Sequence, residues 1–97
     1  MKKLLMLCIA CAAPARADFY TENDRAMTKM MDAMMVHPSG DIDADFVAMM
    51  APHHQGAVDM ATLELRYGHN ETLKRLAQEI IVTQADEIRV MHLAVAK

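Results

Sequence analysis

The sequence predicts an all-α protein, an antiparallel bundle of three helices, and three observations carry this prediction. Apolar residues recur at three- and four-residue steps along three segments, which is the period of a helix with one buried face. No stretch alternates apolar and polar residues as a half-buried strand does. Short turn sequences separate the segments, and short connections place neighbouring helices antiparallel.

The first helix is expected over about 21–36. Thr21 can cap its N-terminus, and Asp24 lies three residues on, in the position of a capping box. The sequence HPSGD then ends the helix, because the residue before Pro38 disfavours helical dihedrals and Ser-Gly completes a turn.

The second helix is expected over about 43–67 and the third over about 70–96. Asp43 can cap the second helix, and Gly68 supplies its end. Asn70 can cap the third helix, where an acidic residue in the first turn suits the helix dipole.

Residues 1–17 read as a secretory signal peptide. Two lysines precede an apolar run at 4–13, and 15–17 reads Ala-Arg-Ala, the small-x-small form of a cleavage site. The run is too short to span a membrane. We expect cleavage near residue 17 and export of residues 18–97 to the periplasm or outside the cell. A lipoprotein attached through Cys11 is the alternative.

Composition narrows the class of partner. Both cysteines, Cys8 and Cys11, lie in the predicted signal peptide, so the exported domain would have neither a disulfide nor a thiolate. The net charge of −3 and the lack of a basic stripe exclude a typical nucleic-acid binder. The five histidines and most of the eleven methionines lie after residue 17. A domain this small without disulfides has a marginal core, which favours stabilisation by a metal or by self-association.

The segment MMAPHHQGAVDMA, which begins at Met49, concentrates the unusual residues of the chain. On a helix Met49 lies one turn before His53, and Met50 lies one turn before His54, so each histidine shares a face with a methionine. Adjacent histidines point about 100° apart on a helix. A kink at Pro52 would let one site use both of them.

The second and third helices carry polar residues on their predicted inward stripes. The inward stripe of the second helix is expected to comprise Phe46, Met49, Met50, His53, Ala57, Met60 and Leu63. Antiparallel pairing through the turn near Gly68 makes the numbers of facing residues add to roughly 136. His53 then faces Gln84, and Met49 faces Glu87. The polar residues within both stripes therefore lie at one level of the bundle, where a polar ligand would be held.

The donor types indicate copper. Thioether sulfur is a soft ligand and imidazole a borderline one, so together they favour Cu(I) through methionine and Cu(II) through histidine and carboxylate. Zinc would more often use cysteines or several histidines. The aspartates of GDIDAD, at 40–45, lack the glycine and the distal glutamate of an EF-hand, and helix capping is their better interpretation. Packing is the alternative for the methionines, because methionine fills irregular core gaps well.

Two stretches carry a resemblance to a known family. The stretches are DADFVAMMAPHHQGAVDMA and LAQEIIVTQADEIRVM, within about 41–91. They resemble the ferritin-like domain-of-unknown-function family that is marked by an HHQGA motif and that includes the CopM-type periplasmic copper-binding proteins. The resemblance implies a helical bundle, export, and binding of copper, and of silver, in resistance or homeostasis. The motif positions that it implies are Met50, His53, His54, Met60, Gln84, Glu87 and Met91.

Together, spacing and resemblance predict a metal site. Its candidate ligands are His53, His54, Met50, Met60, Met49, Gln84, Glu87 and Met91, with Met27, Met31, Met34 and His92 as additional candidates. A ferritin-like bundle usually has four helices, so a homodimer that completes the bundle is expected as a partner arrangement.

The expected function is copper binding without catalysis, with periplasmic metal-handling proteins as further partners. An enzyme is not expected, since there is no HExxH, no Glu-x-x-His pair of a di-iron bundle, and a single serine, Ser39, in a turn. The alternative is a methionine-lined module that binds a partner helix or peptide without metal.

Overall fold

The computed structural model describes the backbone of residues 2–97 and the side chains of residues 15–97. It contains three helices, α1 (Lys2–Met34), α2 (Ile42–Tyr67) and α3 (Glu71–Val95), and the described backbone forms no strand. The predicted all-α, three-helix bundle is confirmed. None of the helices in the described part is both long enough and apolar enough to cross a membrane.

The first helix begins earlier than predicted. Residues 2–17 continue as helix into the rest of α1, so Thr21 is an interior residue and not the N-cap. The leucine and alanine of that segment are strong helix formers, which accounts for the continuation. Most of the predicted signal peptide, with Cys8 and Cys11, lies outside the residues whose side chains are described.

The N-cap of α2 is Asp41, and the expectation of Asp43 was wrong. The Asp41 carboxylate accepts a hydrogen bond from the Ala44 amide at 3.1 Å, which satisfies one of the free amides of the first turn. Asp45 accepts hydrogen bonds from the Ser39 hydroxyl at 2.6 Å and the Ser39 amide at 3.0 Å. These bonds from Ser39 lower the pKa of the Asp45 carboxyl.

The turn between α2 and α3 follows the prediction. The Gly68 amide donates to the Glu64 carbonyl at 2.7 Å and ends α2, although Gly68 is extended and not left-handed. The Asn70 side chain accepts a hydrogen bond from the Leu73 amide at 3.0 Å and caps α3. The short connection folds α3 back antiparallel to α2.

The central helix of the bundle is α2. One side of α2 packs on α1 and another on α3, and over the described residues α1 and α3 do not pack against each other. Val47 and Ala61 share a face with His54, whose side chain contacts α3. Gly56 and Leu63 lie on a nearly opposite face, where Gly56 meets α1. The three helices therefore form an open layer.

The contact between α1 and α2 is close at one point and polar along one edge. Gly56 is buried, and a Cβ there would run into the Met30 side chain. The Arg66 guanidinium donates to the Glu22 carboxylate at 3.2 Å. The Tyr67 hydroxyl is the largest cause of a lowered pKa at Glu22, and Arg66 adds to it. The glycine sets how near the two helices approach, and the polar edge fixes their rotation.

Four residues of the predicted inward stripe of α2, namely Phe46, Met49, His53 and Met60, are exposed, and the expectation was wrong for them, whereas Leu63 is buried as predicted. Phe46 is 51% exposed, Met49 42% and Met60 45%, and His53 is exposed as well. The buried residues of α2 are Val47, Ala51, Gly56, Ala61 and Leu63, and only Leu63 belongs to the predicted stripe. The reason is that α2 has two neighbours on nearly opposite sides. Small residues mark the two contact faces, and the stripe of larger apolar residues lies between them.

Candidate metal centre

The closest polar contact across the α2–α3 seam joins a histidine to a glutamate. His54 Nε2 lies 2.5 Å from Glu87 Oε2, and the His54 side chain is 15% exposed. His54 Nδ1 lies 3.1 Å from the Met50 carbonyl oxygen. Because a carbonyl only accepts, Nδ1 carries the proton of that bond. The imidazole is therefore held in place by its own helix, with Nε2 directed at the carboxylate of the next one.

This contact corrects the predicted register. His54, not His53, faces α3, and its partner is Glu87, not Gln84. The numbers of this facing pair add to 141 and not to roughly 136, so the register of α3 against α2 is shifted by about one and a half helical turns. His53 is exposed on the neighbouring face, with its ring centroid 6.3 Å from that of His54. The predicted sum was too low in part because it centred the turn on Gly68, whereas α2 ends at Tyr67 and α3 begins at Glu71.

Two methionines lie beside the histidine–glutamate pair. Met50 precedes His54 by one turn on α2, and Met91 follows Glu87 by one turn on α3. In an antiparallel pair these positions come to the same level. Both methionines are half-buried. We call Met50, His54, Glu87 and Met91 the seam site.

The seam site offers a mixed donor set. A metal-binding histidine commonly donates its other ring N–H to a carbonyl or carboxylate, which is the arrangement of His54 Nδ1 with the Met50 carbonyl. Among the residues whose side chains are described, no three His, Cys, Asp or Glu side chains converge as metal ligands. Here the imidazole and carboxylate supply two donors, and the thioethers of Met50 and Met91 are the nearby candidates for others. Such a set suits copper better than zinc or calcium.

A second group of predicted ligands lies on one exposed face of the layer. On α2 this face carries Phe46, Met49, His53 and Met60, and helical spacing adds Met27 and Met31 of α1 and Leu73 and Leu76 of α3. We call these eight residues the methionine face. Its opposite face is polar, since Lys29 pairs with Asp59 at 3.9 Å and Arg66 with Glu22 there.

The remaining predicted ligands are scattered. Gln84 is half-buried on α3, one turn before the seam site, and Met34 is half-buried at the end of α1. His92 is exposed in the last turn of α3. Met60, two turns beyond His53, belongs to the methionine face and not to the seam site. The structure thus divides the predicted ligand set into two groups on different faces of α2.

Sequence reasoning missed the polar group at the α1–α2 edge. Glu22, Arg66 and Tyr67 meet there, and hydrogen bonding to Glu22 also raises the pKa of the Tyr67 hydroxyl. The Phe19 ring packs edge-on against the Tyr67 ring, with centroids 6.0 Å apart. No local pattern joins residues 44 positions apart, so only the fold reveals this group.

The comparison with known protein families matches residues 10–95 to the family described as Domain of unknown function (DUF305). The matched range contains the whole of α2 and α3, and with them the seam site. None of the curated proteins matches the chain. The helical bundle agrees with the ferritin-like type of that family. By the extent of this match, the chain belongs to the DUF305 family.

Proposed function

We propose that this DUF305 protein is an exported copper-binding protein of the CopM type, which sequesters copper or keeps its concentration in balance. One observation carries the proposal. It is the seam site, in which His54 and Glu87 are in contact and two half-buried methionines lie one turn away. The proposal includes silver, which shares the softness of Cu(I).

The two kinds of donor serve two oxidation states. Thioether sulfur favours Cu(I), whereas imidazole and carboxylate favour Cu(II). The His54 Nε2 to Glu87 contact is short, so an ion that enters has to part the two side chains. Glu87 is half-exposed, and its carboxylate can turn outward at low cost.

Exposure of the methionines supports the proposal further. Core packing would account for a buried methionine. It does not account for Met31, which is 57% exposed, or for Met49 and Met60. Soft donors that reach solvent can capture an ion and pass it to the seam site. In this proposal Met27, Met31, Met49, His53 and Met60 are the capturing residues as long as no other chain covers this face.

Export forms part of the same proposal. The order of two lysines, an apolar run and Ala-Arg-Ala over residues 1–17 is that of a cleaved leader. A domain without thiols suits copper handling in an oxidising compartment, because thiols there are oxidised to disulfides. Periplasmic metal-handling proteins would then deliver or receive the ion.

The test is a titration of the purified protein with Cu(I) and Cu(II), each against a competing chelator of known affinity. We expect dissociation constants below the micromolar range, which correspond to more than about 8 kcal/mol of binding free energy. Metal-induced stabilisation should accompany binding, since a ligand of the native state alone raises the melting temperature. If both ions bind more weakly than micromolar, the proposal fails.

The exposed methionine face also supports a second function, a module that binds a partner helix or peptide without metal. Methionine-rich surfaces adapt to varied apolar partners. This function predicts a melting temperature that does not respond to copper. A copper-dependent rise would decide for the first function.

A further inference from the structure

The methionine face is a large apolar surface for a protein of this size. Its apolar members expose about a third to three-fifths of their area. At roughly 80–100 Å² each, they form an apolar patch of roughly 600 Å², at the upper end of what monomers expose. No lysine or arginine lies within it, since Lys29 and Arg66 lie on the opposite face.

The interior of a single chain is correspondingly small. Over the described residues the buried apolar side chains are Val47, Ala51, Ala61, Leu63 and Ala77, of which three are alanines. No large side chain there is fully buried. A domain of this size with so little buried area is usually stabilised by metals, disulfides or oligomerisation. The methionine face holds the apolar area that the interior lacks.

We propose that the methionine face is covered by a second copy of this chain, in a two-fold symmetric dimer. A two-fold interface uses the same patch twice, so the patch has to complement itself. A mostly apolar face does so. The charged group that borders it, Glu87, lies three turns from Leu76 on α3 and is paired with His54 of its own chain. Roughly 600–700 Å² per copy approaches the about 800 Å² per partner of a standard interface.

The arrangement of the three helices in a layer indicates where the two-fold axis of the dimer lies. Because α2 is the central helix, its exposed stripe packs on the same stripe of the copy. His53 lies midway along this stripe, between Phe46 and Met60, so the two His53 side chains meet near the axis. Burial of an imidazole requires a hydrogen-bond partner. The second His53 provides one, since one neutral imidazole can donate to the other.

The first experiment is sedimentation equilibrium of the metal-free protein, as isolated, over the micromolar range. We expect twice the mass of one chain. Phe46→Asp should reduce the mass to that of one chain, because it puts a charge into the interface. Val82→Asp is the matched control, since Val82 is 71% exposed and lies on the outer side of α3. A wild-type protein of single mass throughout overturns the proposal, even if it co-purifies with another protein.

A second experiment covers the case in which Phe46→Asp unfolds the chain. In a Cys8→Ser, Cys11→Ser background, His53→Cys should form a covalent dimer on mild oxidation. Gln55→Cys, which is exposed on the opposite side of α2, should not. Equal cross-linking of both variants, or of neither, contradicts the placement of the axis. The dimer is tested without metal, so its failure leaves copper binding at the seam site untouched.

Discussion

His54 Nε2 lies 2.5 Å from Glu87 Oε2, and this contact fixes the register of α2 against α3. It also brings Met50 and Met91 to one level of the seam. One of the two adjacent histidines is therefore directed into the bundle and the other onto its exposed face. We therefore expect the two histidines to contribute very differently to copper binding.

His54→Ala should weaken Cu(II) binding by about 100-fold, because it removes a fixed imidazole donor. His53→Ala should weaken binding by less than about tenfold, and Met27→Leu should have a similarly small effect, since neither residue belongs to the seam site. Chelator competition measures all three variants. Equal losses for the two histidine variants would contradict the separation of the seam site from the methionine face.

Cu(I) affinity should depend on the seam methionines. Met50→Leu and Met91→Leu remove the soft sulfur but nearly conserve volume, so each should lower Cu(I) affinity by about tenfold with a stability cost under about 1.5 kcal/mol. Met35→Leu is the control, because Met35 is 82% exposed and lies just beyond α1. Competition with a Cu(I)-specific chelator reports the difference. A loss at Met35 as large as that at Met50 would count against the seam site.

Gly56→Ala should destabilise the fold, although alanine is the better helix former. The added methyl meets the Met30 side chain, and overpacking costs about 1–3 kcal/mol against a helix gain of up to about 1 kcal/mol. Urea unfolding should therefore show a net loss of about 1 kcal/mol. The double variant Gly56→Ala, Met30→Ala should remove the steric part of the loss. If the loss of stability in the double variant equals the sum of the losses in the Gly56→Ala and Met30→Ala single variants, α1 does not approach α2 at Gly56.

Asp41→Ala should cost about 1 kcal/mol, the usual loss for an N-cap. Asp43→Ala should cost less, because Asp43 contributes through the helix dipole alone, at about 0.3–1 kcal/mol. Denaturant unfolding of the two variants compares them directly. A larger loss at Asp43 would restore it as the cap.

Acid should remove the contribution of Glu22 to stability. Hydrogen bonding to Tyr67 and the nearby Arg66 charge lower the Glu22 pKa below its ordinary 4.5 in the fold. Its contribution is therefore fully present above pH 4.5 and is lost as pH falls through the lowered value. Glu22→Gln should be less stable than wild type at neutral pH, and the difference should vanish in acid.

Tyr67→Phe provides the control for that pH dependence. It keeps the aromatic ring beside Phe19 but removes the hydroxyl that contributes most to the Glu22 shift. Thermal unfolding from neutral to acid pH should show a smaller acid-dependent fall in melting temperature in this variant than in the wild type. An unchanged acid profile would mean that Arg66 carries the effect.

The local structure of this chain could be predicted from its sequence. Gly68 ends a helix and Asn70 begins one because their preferences act within a few residues. The cap of α2 was missed because several aspartates near residue 41 can each serve as a cap. The start of α1 was also missed, because the helix continues from the preceding segment. The four residues of the seam site were all among the predicted candidate ligands, because donor chemistry is a property of residue type.

The sequence by itself determined that the chain is helical, where the turns lie and which donors stand one turn apart. Those features depend on contacts within about four residues. Only the tertiary structure decided that His54, and not His53, meets Glu87, and that Phe46, Met49 and Met60 remain exposed. The reason is that α2 has neighbours on two nearly opposite sides. Helical periodicity reveals an apolar stripe, but the packing of α1 and α3 decides which stripe is covered.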